Sequence, residues 1–411
     1  MQPASNAAQK DTSPSALRPR TAGLARVGAA ALAGALALTG VTAATAVAAP
    51  ARASAVGTAA RGGLTYPAVE KQLSAIETPP SSKVSLLETG STLLYPLISV
   101  WAAAYGKIHP NIPVTTAGTG SGTGQSDALS GTVQIGASDA YLPPTDPKTL
   151  LNIPLDISAQ DIAYNVKGVP QTTHLKLTGA VLNEIYSGKI NNWSSSVIKG
   201  LNPGVRLPDE TIIPLHRSDG SGDTFLFSTY LDDQSPKGGW VAAQGGPGTQ
   251  VQWPSISTAL AEQGNQGMET ACKSTPGCIA YIGVSFLNES IKDHLGEAQI
   301  RNGDGQFELP THKAIATEVA AYTSIPADAA ESLIDSTASS AKNGYPIVNF
   351  EYAIVNDKQP NAATAQAVKA FLAWGMDPRF GSTGKNLGPV YFQALSPAAI
   401  QVSLNLLDKV K

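Results

Sequence analysis

Four short segments hold the side chains best suited to gripping a small anion. They are Glu88-Thr89-Gly90-Ser91-Thr92-Leu93, Gly118-Thr119-Gly120-Ser121-Gly122-Thr123-Gly124, Gly136-Ala137-Ser138-Asp139 and His216-Arg217-Ser218-Asp219-Gly220-Ser221-Gly222-Asp223. Glycine lets the backbone approach a ligand closely, Ser and Thr hydroxyls donate hydrogen bonds, and a helix N-terminus offers unpaired N–H groups to negative charge. One such segment is usually a turn or a helix cap. Four in one chain, each following a stretch that reads as a strand, point to an oxyanion site beyond the carboxyl ends of an open α/β sheet.

Other chemistries fit the residues less well. A nucleotide-cradling G-x-x-x-x-G-K-[ST] is absent, since Gly384-Lys385 is followed by Asn386, and Gly118 to Gly124 does not satisfy G-x-G-x-x-G. Ser221 is flanked directly by Gly220 and Gly222, so no G-x-S-x-G elbow exists. A secreted hydrolase with Ser221 as nucleophile is therefore the remote alternative, and His216, alternating in a strand, reads as structural. The remaining histidines (His109, His174, His294, His312) lack the i, i+4 spacing of a zinc helix. Neither a metal nor a cofactor is expected.

The elements that must position these loops follow from the apolar pattern. Strands are expected at Val84–Leu87, Ile112–Thr116, Thr132–Ala137, Ile212–His216, Ile279–Ile282 and Ile347–Val355. Helices are expected over Tyr95–Ile108 with Pro96 in its first turn, near Gln125–Leu129, after a Thr178 cap, through Leu231, and over Ala362–Trp374. Strands alternating with helices imply an α/β fold on mostly parallel sheets. The 411 residues suggest two or three domains, or one large fold with two lobes. Only 14% are charged and the net charge is −3, which excludes the basic surface of a nucleic-acid binder.

The first 55 residues differ in composition. Lys10, Arg18, Arg20 and Arg26 precede an Ala/Leu/Val/Gly run from Val27 to Ala49, and Ala46-Val47-Ala48 and Ala53-Ser54-Ala55 follow. This reads as a secretory signal peptide, with an uncleaved membrane anchor as the alternative because the run is long. Loss of residues 1–49 removes those four cations and Asp11, a net +3, and leaves the mature chain near −6. Export to an oxidising compartment makes a disulfide across the Cys272–Cys278 turn the expectation, worth about 2 kcal/mol in the chain-entropy model. Residues 56–83 read as a mostly disordered linker.

The four loops also carry a resemblance. Gly90-Ser91-Thr92-Leu93-Leu94-Tyr95-Pro96, Gly118-Thr119-Gly120-Ser121-Gly122, Gly131 to Asp139 and His216 to Asp223 closely resemble the substrate-binding protein of the Pst-type phosphate ABC transporter. Asn265-Gln266-Gly267-Met268, Thr275 to Tyr281 and Gly344 to Asn349 add matches in order. The span is about Val84 to Leu395, and Leu93-Leu94-Tyr95 with the cysteine pair resembles actinobacterial members.

That resemblance implies a type II periplasmic-binding-protein fold, with lobe I over 84–157 plus 347–411, lobe II over 158–346, and hinge strands near Ile157 and Pro346. It places phosphate ligands on Thr92, Leu93, Ser121, Asp139, Arg217, Ser221, Gly222 and Asp223, with Ser91 as an additional neighbour and Asp219 pairing Arg217 in support. The expected partners are inorganic phosphate and the permease and ATPase of an ABC importer, and the expected state is a monomer. The protein would be exported, extracellular or at the cell surface, and no lipid-anchor cysteine is present near the N-terminus.

Two acids frame the specificity question. Asp139 would accept a proton that phosphate carries near neutral pH and sulfate does not. Asp223 stands where many relatives have Thr or Ser, so its side chain must point elsewhere or accept a second proton. A receptor for another tetrahedral oxyanion such as sulfate is the alternative reading.

Overall fold

The computed structural model describes residues 64–142, 146–235, 239–322, 324–334 and 341–411, so the expected signal peptide or anchor over 1–55 lies outside the described residues. The strands there are β1 (Leu86–Gly90), β2 (Val114–Thr115), β3 (Ile135–Ser138), β4 (Leu150–Asn165), β5 (Lys176–Leu177) and β6 (Ile213–Arg217), followed by β7 (Leu260–Glu262), β8 (Cys278–Gly283), β9 (Gly296–Glu297), β10 (Gln299–Arg301), β11 (Phe307–Glu308) and β12 (Val348–Asn356). The main sheet runs β2-β1-β3-β12-β4-β8-β6-β7, and β9 also pairs with β4. β1 is parallel to β2 and β3, and β6 is parallel to β7 and β8. Antiparallel β12 and β4 join these two parallel sets. This is the two-lobed α/β fold, with helices packed along the sheet.

β4 is the element that composition disguises. It reaches 16 residues, and every one except Asn165 is buried. Pro154 cannot donate to a ladder and argues against a central strand. The register answers this: Glu351 pairs with Asp156 and Tyr352 with Pro154, so Leu155 is the extra residue of a bulge. β4 pairs with β12 as far as Ala159 and with β8 from Gln160 onward. The ladder therefore changes partner between Ala159 and Gln160.

Most expected elements appear with ends moved by a few residues. Helix Tyr95–Ile108 has Pro96 in its first turn and buries Leu97, Ile98, Trp101 and Tyr105 on one stripe. Thr178 caps helix Gly179–Tyr186 by accepting from Val181 N at 3.2 Å. β1 begins at Leu86, two residues later than expected. Cys272 and Cys278 form the expected disulfide.

The linker expectation over 56–83 needs correction. Tyr66–Ile76 is a helix, with Pro67 in its first turn and Val69 and Leu73 buried one turn apart. Tyr66 Oη donates to Leu395 O at 2.9 Å, and Arg379 Nη2 reaches Ser74 Oγ at 2.7 Å and Glu77 at 3.6 Å. Two buried apolar residues make no long periodic stripe, so tertiary contacts with helices Ala362–Met376 and Pro397–Leu407 stabilise this segment rather than its own pattern.

The fold also buries acids in bulk. Burial pushes Glu88 up to about 8, offset only in part by a backbone hydrogen bond from Ala117. Burial raises Glu297 to about 7, and burial with the nearby Glu297 charge raises Asp161 well above its ordinary value. The folded chain thus binds protons that the unfolded chain releases above pH about 4.5, and stability must fall as pH rises from there towards 8. The unfolding midpoint should be several degrees lower at pH 8.5 than at pH 5.5, at about 2–4 °C per kcal/mol for a domain of this kind. Glu88→Gln should flatten that slope. A midpoint that climbs through this window, unchanged in slope by Glu88→Gln, would contradict the assignment.

Candidate functional site

β1, β3 and β6 end at one place, and each hands its chain to a residue of the site. Ser91 follows β1. Its Oγ accepts from Leu94 N at 2.9 Å, closing the turn into helix Tyr95–Ile108, and its single hydroxyl hydrogen goes to Asp139 Oδ1. Asp139 follows β3, and its backbone oxygen accepts from Asn349 Nδ2. Ser121 opens helix Ser121–Ser130; its Oγ lies 3.2 Å from Asp139 Oδ2 and 3.3 Å from Asp139 N.

Arg217 ends β6 and is 4% exposed. Its Nε donates to Asp219 Oδ1 at 2.7 Å and its Nη2 to Asp219 Oδ2, a bidentate clamp. Its Nη1 donates to Asp223 Oδ2 at 2.7 Å. Ser221 caps helix Gly222–Asp233 by accepting from Thr224 N at 3.3 Å. Accepting leaves its hydroxyl hydrogen available to a ligand.

Two glycines are required by close approach. A Cβ on Gly222 would lie 2.3 Å from Asp139 Oδ2, and one on Gly120 would lie 2.5 Å from Asp219 Oδ2. Gly120 also holds φ at +97°, a left-handed value costly for other residues. Segments far apart in sequence therefore meet at backbone contact, and Gly122 N donates to Gly220 O at 2.9 Å.

The structure gathers the sequence-predicted residues at one end of the sheet, with Ser91, Asp139 and Ser121 hydrogen-bonded as one group and Arg217, Asp219, Asp223, Asn265 and Thr92 as another. Ser91, Leu93, Ser121, Asp139, Ser221, Gly222 and Asp223 are buried, while Thr92 is half-buried. Thr92 Oγ1 accepts from Asn265 Nδ2 at 3.0 Å, and Leu93 O accepts from Ser285 Oγ at 2.7 Å. A cavity of about 500 Å³ opens beside Thr92 and Asp219, lined also by Tyr95, Gly118 and Phe286, and gives solvent a route to this rim.

The Asp223 side chain turns towards donors. Besides Arg217, it accepts from Asn265 Nδ2 at 2.8 Å and Gln160 Nε2 at 3.3 Å. Burial and the Asp139 charge push it up to about 7, against the pull of Arg217, Asn265 and Gln160. Burial also raises Asp139, although Glu351, Ser91, Arg217 and Ser121 all favour its ionised form. For Asp219, burial alone would raise the carboxyl, but the Arg217 clamp holds it below the usual range.

Asn265, Gln160, Ser158 and Glu351 belong to the network without having been assigned a role from sequence. Asn265 had a signal, the Asn-Gln-Gly motif. Glu351 had one too, as a lone acid inside the apolar run Ile347–Val355.

Chemically, one guanidinium faces four carboxyl groups, those of Asp139, Asp219, Asp223 and Glu351. Further positive potential comes from the N-termini of helices Tyr95–Ile108, Ser121–Ser130 and Gly222–Asp233, which begin at the site. Such a site suits an anion that brings its own proton. His216 stands apart from Ser221: its Nδ1 lies 3.2 Å from Arg217 O, and its ring stacks on Trp253 with centroids 5.0 Å apart.

Residues 74–379 match the model of the PBP superfamily domain. The phosphate-binding protein PstS of Methanocaldococcus jannaschii is 34% identical over 349 residues, covering 80% of this chain and 87% of its own. The phosphate-binding protein PstS of Xylella fastidiosa is 28% identical, covering 79% of this chain and 86% of its own. In fold, the phosphate-binding protein of Stenotrophomonas maltophilia superposes with a TM-score of 0.58 at 21% identity, over 77% of this chain and 92% of that one. The chain belongs to the PBP superfamily and, within it, to the PstS family of phosphate-binding proteins.

Proposed function

We propose that this protein is an exported, non-enzymatic receptor that captures inorganic phosphate between its lobes and delivers it to the permease and ATPase of an ABC importer. The observation that carries the reading is Asp139, wholly buried where Ser91, Ser121 and the Gly222 helix N-terminus converge. An ionised carboxylate there repels a fully deprotonated anion but accepts a hydrogen bond from protonated phosphate, which sets phosphate apart from sulfate. Arg217 supplies the positive charge, and Thr92 and Ser221 hydroxyls with the N–H groups of Leu93, Gly222 and Asp223 supply the donors. Ser91 and Ser121, whose hydroxyl hydrogens are engaged by Asp139, act through that acid, and Asp219 orients Arg217.

In this reading lobe I comprises 84–157 and 347–411 and lobe II 158–346, and the partner change in β4 between Ala159 and Gln160 marks the hinge. Contacts crossing between these segments, Asn265 to Thr92 and Ser285 to Leu93, would close the cleft. Residues 1–55 direct export.

Titration calorimetry tests the function. One phosphate should bind per chain, with sulfate at least about a hundredfold weaker, equivalent to about 3 kcal/mol. Comparable affinity for the two anions, or none for phosphate, would refute it.

A further inference from the structure

Glu351 is a fully buried acid on β12 with no place in the ligand set. Its Oε1 accepts from Ser158 Oγ at 2.5 Å, while Oε2 meets no hydrogen-bond donor among the described residues. The Asp139 carboxyl is its neighbour, close enough for each acid to shift the other's titration. The register explains the approach: Tyr352 of β12 pairs with Ser138 of β3, which brings the preceding residue, Glu351, beside the residue after Ser138. Two buried carboxyl groups side by side can share a hydrogen bond only when one of them carries a proton, since ionised carboxylates only accept.

We propose that Glu351 is a positioning residue for phosphate recognition, a neutral acid that takes a hydrogen bond from Ser158 on one oxygen and donates its proton to Asp139 with the other. The inference rests on the proton-accepting role proposed for Asp139. The charged and titratable groups around Glu351 favour this placement of the proton. Asp139 from the end of β3 and Asp223 from helix Gly222–Asp233 both oppose a charge on Glu351, and burial opposes it most, with Ser158 of β4 the opposing influence. Asp139 by contrast has Ser91, Ser121 and the Arg217 charge to support its ionised form.

The consequence is a specificity device. With the Glu351 proton pointing at it, Asp139 stays an acceptor and is held towards the ligand. Without that proton, Asp139 loses a donor in a buried setting and protonates more readily, and a protonated Asp139 is itself a donor that suits sulfate. The device also runs through the two strands that cross between lobes. Ser158 lies two residues before β4 changes partner at Gln160, and Asn349 of β12 grips the Asp139 backbone.

Infrared spectroscopy and calorimetry test the inference together. At neutral pH the parent-minus-Glu351→Gln difference spectrum should show the carbonyl stretch of one buried, protonated carboxyl, above the bands that Glu88 and Asp161 contribute to both proteins. The Gln amide can both accept from Ser158 and donate to Asp139, so this variant should bind phosphate within about threefold of the parent, well inside one tenfold step. Glu351→Ala should bind phosphate about tenfold more weakly and narrow the phosphate-to-sulfate preference, more so as pH falls. A merely structural role would leave that preference unmoved. Circular dichroism and thermal unfolding select variants that fold. A Glu351→Gln spectrum that loses no acid carbonyl intensity relative to the parent, or a Glu351→Ala selectivity equal to the parent while Asp139→Asn relaxes it, overturns the role of Glu351. An Asp139→Asn selectivity equal to the parent overturns the Asp139 role beneath it.

Discussion

Arg217→Met should abolish useful phosphate binding, weakening it by at least about a thousandfold, or roughly 4 kcal/mol. Arg217 is the one cation of the network, and its guanidinium donates to two carboxyl groups, Asp219 and Asp223. Removing one partner of a buried, hydrogen-bonded charge pair costs about 2–5 kcal/mol, much of it from the charge left behind. Here two acids are left, and an incoming anion would meet both without a counter-charge. Asp223, which burial and Asp139 already push up to about 7, would rise further and remain protonated at neutral pH. Arg217→Lys separates charge from geometry. An ammonium keeps the charge but cannot form the two-pronged clamp on Asp219 while reaching Asp223, so an intermediate loss is expected. Calorimetry on both variants checks the order, and Arg217→Met binding phosphate within about tenfold of the parent would remove Arg217 from the ligand set.

Asp139→Asn should change which anion is preferred. The Asn amide keeps an oxygen to accept from a serine but turns an NH₂ donor towards the ligand or towards Glu351. Phosphate loses its acceptor and should weaken about tenfold to a hundredfold, while sulfate loses a repulsive carboxylate and should strengthen. The ratio of the two affinities is therefore the sensitive readout, with an expected shift of about two decades or more. Direction with pH follows from the acid. Burial raises Asp139 and its donors lower it, so acidification protonates it and erodes discrimination in the parent, whereas Asn cannot titrate and its ratio should be flat apart from ligand protonation. An unchanged ratio in Asp139→Asn would sink the proton-reading account.

The low charge content takes on meaning in this setting. A chain with a net charge of −3 has no global attraction for phosphate, and its candidate site contains more acids than bases. Binding must come from preorganised dipoles and one guanidinium, which work best where water is excluded. The burial of acids also loads the fold with protons, which is why stability is expected to decline between pH about 4.5 and 8.

Local chemistry was legible because it lies in short windows. The Gly/Ser/Thr loops, the Pro96 and Thr178 helix starts, and the Arg217–Asp219 spacing each express their role within a few residues. β4 was not legible as the central strand because Pro154 and a row of polar residues disguise it. Its alternation of Ile153, Leu155, Ile157 and Ala159 with Asp156, Ser158 and Gln160 suggests one solvated face. In the structure the polar residues are buried too, and Asp156, Ser158 and Gln160 reach Ser382, Glu351 and Asp223. Helix Tyr66–Ile76 escaped because two buried side chains make no periodic signal.

The amino-acid order thus determined the fold class, the four Gly/Ser/Thr loops at strand ends, the disulfide pair and the candidate residues for holding an anion, since each depends on composition or spacing that neighbouring residues express. Only the tertiary structure decided where Asp223 turns, that Asn265 bridges Thr92 and Asp223, and that Glu351 lies against Asp139. Those outcomes depend on β-ladder register and on contacts between segments some 200 residues apart, and register is a property of paired strands that no single stretch of chain contains.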